Sequence, residues 1–292
     1  MLKVNNISKQ FDTFSLSNIS LSLDKGYILG LIGANGSGKT TLLNILCGLN
    51  KADSGNVVFD NYNLYKDSSS YKANIGFVSS DKDHGFIQNT SLTDNANIFG
   101  RFYKDYDFLL FKEYASELSL DINKQLSRCD TSEIIKFEFA FALSHKAKLL
   151  LLDEPNGNFN ETENHIFTNI LRKYINDTMA CAIISTHQIK DLNAIADYIT
   201  MIYDGKILFS YDIETLLDSY ILVKCDKVAI KHFYKEDIIY KDTTEYVISA
   251  LVKNNLRVKE YIENSNNANL KTIRPSVEDI MYYLIKGGNC YE

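Results

Sequence analysis

Gly33-Ala34-Asn35-Gly36-Ser37-Gly38-Lys39-Thr40 is a G-x-x-x-x-G-K-[ST] stretch, and its two flanks decide how it folds. Before it, Tyr27-Ile28-Leu29-Gly30-Leu31-Ile32 is a short apolar run that reads as a buried strand. After it, Thr41-Leu42-Leu43-Asn44-Ile45-Leu46 reads as a helix. Strand, glycine-rich turn and helix together form a phosphate-binding loop. The glycines let the backbone curl until successive N–H groups point at phosphate oxygens, and the helix dipole adds positive potential there. Gly33, Asn35, Gly36, Ser37, Gly38 and Thr41 form the cradle. Lys39 reaches the β- and γ-phosphates, and the Thr40 hydroxyl holds Mg²⁺.

Working outward, the 292 residues suit one large domain with a small appendage. Hydrophobic residues make up 45% and charged residues 23%, the balance of a soluble globular chain. A formal net charge of −6 gives no basic field for nucleic acid. The start, Met1 to Lys9, lacks the apolar stretch of a signal peptide, and no run reaches the length of a membrane span. Cys47, Cys129, Cys181, Cys225 and Cys290 are scattered, which reads as reduced thiols in a cytosolic protein.

Alternation over Phe14 to Leu23 predicts a half-buried strand, with further strands near 55–62 and 74–79. From about Leu92 to Lys146 the signal is helical, with Leu109, Leu110, Tyr114 and Leu118, then Ile134, Phe137 and Phe141, at three- and four-residue spacings. Runs at 148–152, 179–185 and 198–203 predict buried strands, with a helix over 188–197. Strands separated by helices indicate a parallel, covered sheet. After Tyr220 the pattern restarts as a small α/β appendage, and Pro275 turns into a final helix.

Leu149-Leu150-Leu151-Leu152-Asp153-Glu154-Pro155 delivers two carboxylates at a strand's C-terminal end, where open α/β sheets bind ligands. Asp153 is the expected second holder of Mg²⁺, and Glu154 the expected base for an attacking water. The next strand ends Ile183-Ile184-Ser185-Thr186-His187, which brings His187 to the same edge to meet the γ-phosphate.

In this order, phosphate loop, LLLLDEP and STH resemble the ATP-binding subunit of ATP-binding-cassette (ABC) transporters, strongly over residues 1 to about 215. The resemblance implies an ABC-type P-loop fold: a core sheet with helices, an antiparallel β subdomain and a helical subdomain near 81–146. It places the nucleotide domain at 1–218 and an accessory region at 219–292. It implies ATP and Mg²⁺ as ligands, with Phe11 stacking on adenine. It also implies ATP hydrolysis, a separate transmembrane permease, a second ATPase subunit and a place on the inner face of the cell membrane. The overall style, including the ending Arg274-Pro275-Ser276-Val277-Glu278-Asp279-Ile280, resembles Gram-positive subunits that drive exporters of the ABC-2 type, some of which move peptides or confer immunity to them. A non-hydrolysing regulatory module and a non-transport ABC ATPase are the competing readings.

Three positions depart from the family pattern. Without gaps, its LSGGQ signature falls on Cys129-Asp130-Thr131-Ser132-Glu133, so Asp130 replaces Ser and Ser132 replaces Gly. A second register starts at Leu126-Ser127-Arg128-Cys129. Ser80 stands for the family's Gln, and Asn160 for an Asp. An ionised Asp130 donates nothing to a phosphate and repels it, by roughly 4 kcal/mol per unit charge at about 4 Å and an effective dielectric of about 20. The half-site the chain keeps is intact, whereas the half it offers a partner is altered. That asymmetry predicts an unequal ATPase pair and weak activity of the isolated chain.

Overall fold

Residues 1–63 give, in chain order, β1 (Leu2–Gln10), β2 (Ser15–Leu23), β3 (Ile28–Ile32), α1 (Lys39–Leu46), β4 (Ser54–Phe59) and β5 (Tyr62–Asn63) in a computed structural model. It describes residues 1–79, 85–187, 189, 192, 195–244, 247–264 and 269–288. β1 lies between β2 and β4, antiparallel to both, and β5 extends the sheet beyond β4. The alternation in β2 buries Leu16, Ile19, Leu21 and Leu23. It slips near Asn18, which takes φ 55° where the register with β1 shifts.

The chain continues as α2 (Ser68–Lys72), β6 (Ile75–Ser79), α3 (Leu92–Gly100), α4 (Phe108–Glu117), α5 (Thr131–Ser144), β7 (Leu149–Asp153), α6 (Glu161–Thr178), β8 (Cys181–Thr186), β9 (Tyr198–Tyr203) and β10 (Lys206–Asp212). These complete a second sheet ordered β10-β9-β3-β8-β7-β6, parallel from β9 to β6. Every residue of β3, β7 and β8 is buried, which is why their sequences run apolar rather than alternating. The register pairs Ile32 with Thr186 and Asp153 with Ser185. The segments that follow all three strands therefore leave from one edge. The expected helix over 188–197 falls largely outside the described residues.

In α4 the buried face is Phe111 and Ala115, followed by Leu118, whereas Leu109 is 69% exposed. The spacing read from Leu109 and Leu110 was out of phase. Several apolar residues compete there, and the large Phe111 ring takes the core place. In α5 all residues from Ile134 to Ser144 are buried, including two charged ones. Glu138 accepts from the Ser79 N–H at 3.0 Å, and Lys136 reaches Glu163 of α6 at 2.5 Å.

His145 follows α5, 4% exposed, with its ring stacked 3.9 Å from Tyr103 and Nε2 3.1 Å from the Ile75 carbonyl. Burial pushes its imidazole from 6.5 down to about 4. Between those values the unfolded chain binds a proton that the folded chain refuses. Stability then falls as pH drops through that window, by about 3 kcal/mol in all. Urea unfolding of wild type and His145→Gln at pH 7 and pH 5 checks this. The wild type should lose more of its midpoint on acidification, and equal losses would remove His145 as the cause.

Contacts divide the chain into two compact units, Met1–Ser210 and Tyr211–Glu292. The second holds α7 (Ile213–Asp218), β11 (Tyr220–Cys225), β12 (Ile238–Thr243), β13 (Ile248–Lys253), α8 (Leu256–Asn264), β14 (Lys271–Ile273) and α9 (Val277–Lys286). Its antiparallel sheet runs β12-β13-β11-β14 over a core that includes Val223, Phe233, Val252 and Val258. α7 packs on β11 and α9, and Arg274 binds Glu214 at 2.6 Å and Asp218 at 3.0 Å. The unit thus takes in residues ahead of position 219. α9 opens after Pro275 on a capping box between Ser276 and Asp279. Among the described residues no helix is long and apolar enough to cross a membrane.

Candidate nucleotide site

The loop after β3 curls back to start α1 at Lys39. Gly38 takes φ 111°, and a Cβ there would lie 2.8 Å from Phe14 Cζ and 2.6 Å from Leu16 Cδ2, so this turn excludes side chains. Around Gly36 a Cβ would meet nothing within 4 Å, so the cradle is open on that side. The Ser37 hydroxyl is buried with no hydrogen-bond partner among the described residues, a donor left for a ligand oxygen. Lys39 is 5% exposed, and its Nζ donates to the carbonyls of Gly33 at 2.9 Å and Ala34 at 3.3 Å.

Across the loop, Asp153 and Glu154 leave β7. Asp153 is buried and hydrogen-bonded to the hydroxyls of Ser185 and Thr40. Burial pushes its carboxyl up, opposed by those two hydroxyls. Glu154 takes φ 48°, a left-handed conformation rare outside glycine, and its N–H donates to Ser185 O at 3.1 Å and Oγ at 3.0 Å. Its carboxylate lies between two partners, Lys39 Nζ at 3.6 Å from Oε1 and His187 Nδ1 at 2.8 Å from Oε2. The three sequence motifs therefore meet at one point.

A cavity of about 320 Å³ is lined by Phe14, Asn35, Gly36, Gly38, Lys39, Thr40, Thr41 and Glu154. Among the described residues its one aromatic wall is Phe14. Phe11 is 39% exposed and stacks on Phe14 with centroids 6.4 Å apart, outside that lining. Sequence reasoning missed Phe14; the signal available was a second Phe just across the Asp12-Thr13 turn. The adenine role of Phe11 stays a proposal.

The donor set fits a triphosphate with a hard divalent cation. Thr40 and Asp153 bring a hydroxyl and a carboxylate together, the oxygen ligands Mg²⁺ prefers, while Lys39 and the loop supply charge and N–H groups. At the altered positions, Asp130 N-caps α5, its carboxylate accepting from Glu133 N–H at 2.9 Å, and Asn160 caps α6 through Glu163 N–H in the same way. Asp, Asn and Ser cap helices about equally well, so both changes preserve the fold while changing the charge shown outside. The second register, from Leu126, falls on a single 3-10 turn at Leu126–Arg128. Ser80 lies outside the described residues.

Residues 16–157 match the family model described as ABC transporter. Over this stretch the chain is similar to the ATP-binding domain of ABC transporters. The xylose import ATP-binding protein XylG of Yersinia pseudotuberculosis is 29% identical over 248 residues, 81% of this chain and 48% of that protein. XylG of Histophilus somni is 31% identical over 217 residues, 70% of the chain and 43% of that protein. The chain spans about half the length of the curated relatives it matches. A solved ABC cassette, dimeric MJ0796 in a post-hydrolysis state with ADP and Pi, superposes with TM-score 0.65 at 21% identity, covering 73% of this chain and 98% of that one. It shares the fold, an ABC ATPase cassette of mixed α/β layers. ABC domains bind ATP with Mg²⁺, as the donor set here allows.

Proposed function

We propose that the chain is the ATP-hydrolysing subunit of a transporter, working through separate permease subunits at the inner face of the cell membrane. The meeting of Lys39, Glu154 and His187 beside Asp153 and Thr40 supports it. Lys39 binds the β- and γ-phosphates, exchanging its contacts to Glu154 and two carbonyls for phosphate oxygens. Thr40 and Asp153 hold Mg²⁺, which supplies charge neutralisation on the phosphates. Glu154 takes a proton from water as the water oxygen attacks the γ-phosphorus and the bond to the β-phosphate oxygen breaks. His187 holds the second carboxylate oxygen and so orients the base.

The relatives' names support a transporter, and they are names of sugar importers. Export of peptides or antimicrobials rests on the chain's overall resemblance to ABC-2-type exporter subunits. Residues 219–292 are read as an accessory region. Co-purification with a polytopic membrane protein supports the transporter role; isolation without one, in a complex with other soluble proteins, would favour a non-transport ABC ATPase.

Asp130, Ser132 and Asn160 support an unequal pair, in which a different ATPase subunit offers an intact signature to this chain's phosphate loop. Asp130→Ser with Ser132→Gly keeps a capping residue on α5 and removes the negative charge. Steady-state phosphate release by the isolated chain should rise severalfold in this variant. A wild-type chain already fast and cooperative alone contradicts the unequal pair, as does a folded variant with unchanged rate.

A further inference from the structure

Lys136 is a charged residue in the most apolar helix of the first unit, 8% exposed. Burying an ammonium there costs free energy unless it is paired. Its Nζ lies 2.5 Å from Glu163 Oε1. The other oxygen of the same carboxylate, Oε2, accepts from the Asn160 N–H at 2.9 Å, and Asn160 Oδ1 accepts from the Glu163 N–H at 2.9 Å. Lys136 holds the Glu163 carboxyl below the usual carboxylate range, with the Asn160 N–H adding to it.

One carboxylate thus serves two elements. Oε1 holds α5, whose first turn carries Asp130 and Ser132. Oε2 closes the cap at the end of the short segment that begins at Glu154. That segment has little slack: Gly157 N–H donates to Glu154 O at 3.3 Å and Phe159 N–H to Asn156 O at 3.1 Å. Phe159 packs on Phe167 of α6 at 5.5 Å, with Lys136 Nζ 5.8 Å from its ring. A displacement of α5 at Lys136 therefore reaches the backbone of Glu154 through one ion pair and two tight turns.

We propose that Lys136 is a positioning residue: through Glu163 it couples the place of α5 to the aim of the Glu154 carboxylate. This rests on the reading of Glu154 as the base of an ATPase. A misplacement of about 1 Å at a reacting group can cost about a hundredfold in rate, so the pair should act on turnover rather than on binding.

The test uses the full chain with Lys136→Met, Lys136→Arg, Glu163→Gln and the Lys136→Met/Glu163→Gln double variant. Lys136→Met should lower kcat by roughly tenfold or more while the MgATP Kd stays within about twofold. Lys136→Arg should recover most of the loss. In the Glu163→Gln background Lys136→Met should add little, the mark of residues acting as a unit. Hydrogen exchange of the 155–160 segment, with a non-hydrolysable ATP analogue bound, should speed up in Lys136→Met and return toward wild type in Lys136→Arg. Unchanged exchange and kcat in a folded Lys136→Met, or full additivity in the double variant, overturns the proposal. A wild type that binds ATP without hydrolysing it defeats the ATPase reading instead, and the exchange measurement still decides the coupling.

Discussion

Lys39→Ala is expected to weaken MgATP binding a hundredfold or more. Among the described residues the Lys39 Nζ is the one cation lining the cavity, and its neighbours are carbonyls of the same loop and the Glu154 carboxylate. A unit charge about 4 Å from a phosphate contributes roughly 4 kcal/mol at an effective dielectric of about 20, equivalent to about a thousandfold in affinity before desolvation is subtracted. The variant also leaves Glu154 facing the phosphates without its counter-charge. Calorimetric titration with MgATP checks this, with circular dichroism to establish folding. Affinity within threefold of wild type would place the triphosphate elsewhere.

Glu154→Gln should separate binding from chemistry. The amide keeps the shape and the contact to His187, but it accepts no proton from water at neutral pH. Turnover should fall about 10²-fold or more, the usual reach of a general base, with MgATP affinity kept or raised. Affinity could rise because the contact to Lys39 weakens and one negative charge beside the phosphates is gone. A variant with normal kcat would move the base to another group at this edge, His187 being the first candidate.

The parts of the site that were legible in the sequence share one cause. β3, β7 and β8 are buried on both faces, so their residues are apolar throughout and stop abruptly at the polar residues that do chemistry. Gly33 to Thr40, Asp153-Glu154 and His187 stand out against those runs, and parallel pairing brings their ends together. What was not legible depends on packing between distant segments. Phe14 became the cavity wall because Gly38 lacks a side chain against its ring, a fit between β2 and the loop. Leu109 looked like core, yet Phe111 took that place by size. Lys136 and Glu163 lie on helices separated by a strand, and nothing in either segment alone predicts their ion pair. Asp130 and Asn160 read as lost family groups, whereas locally they are ordinary N-caps. The second unit gathered residues 211–218 because α7 packs on β11 and α9, contacts that composition does not announce.

Single-turnover hydrolysis with the chain in excess over radiolabelled MgATP decides whether Lys39, Asp153 and Glu154 form one ATP-hydrolysing half-site. Wild type, Lys39→Ala and Glu154→Gln are run side by side, with bound nucleotide and released phosphate measured in each. Wild type should bind and convert ATP, Glu154→Gln should bind it unconverted, and Lys39→Ala should retain none. A wild type that binds nothing, or a Glu154→Gln that releases phosphate at the wild-type rate, would contradict that half-site.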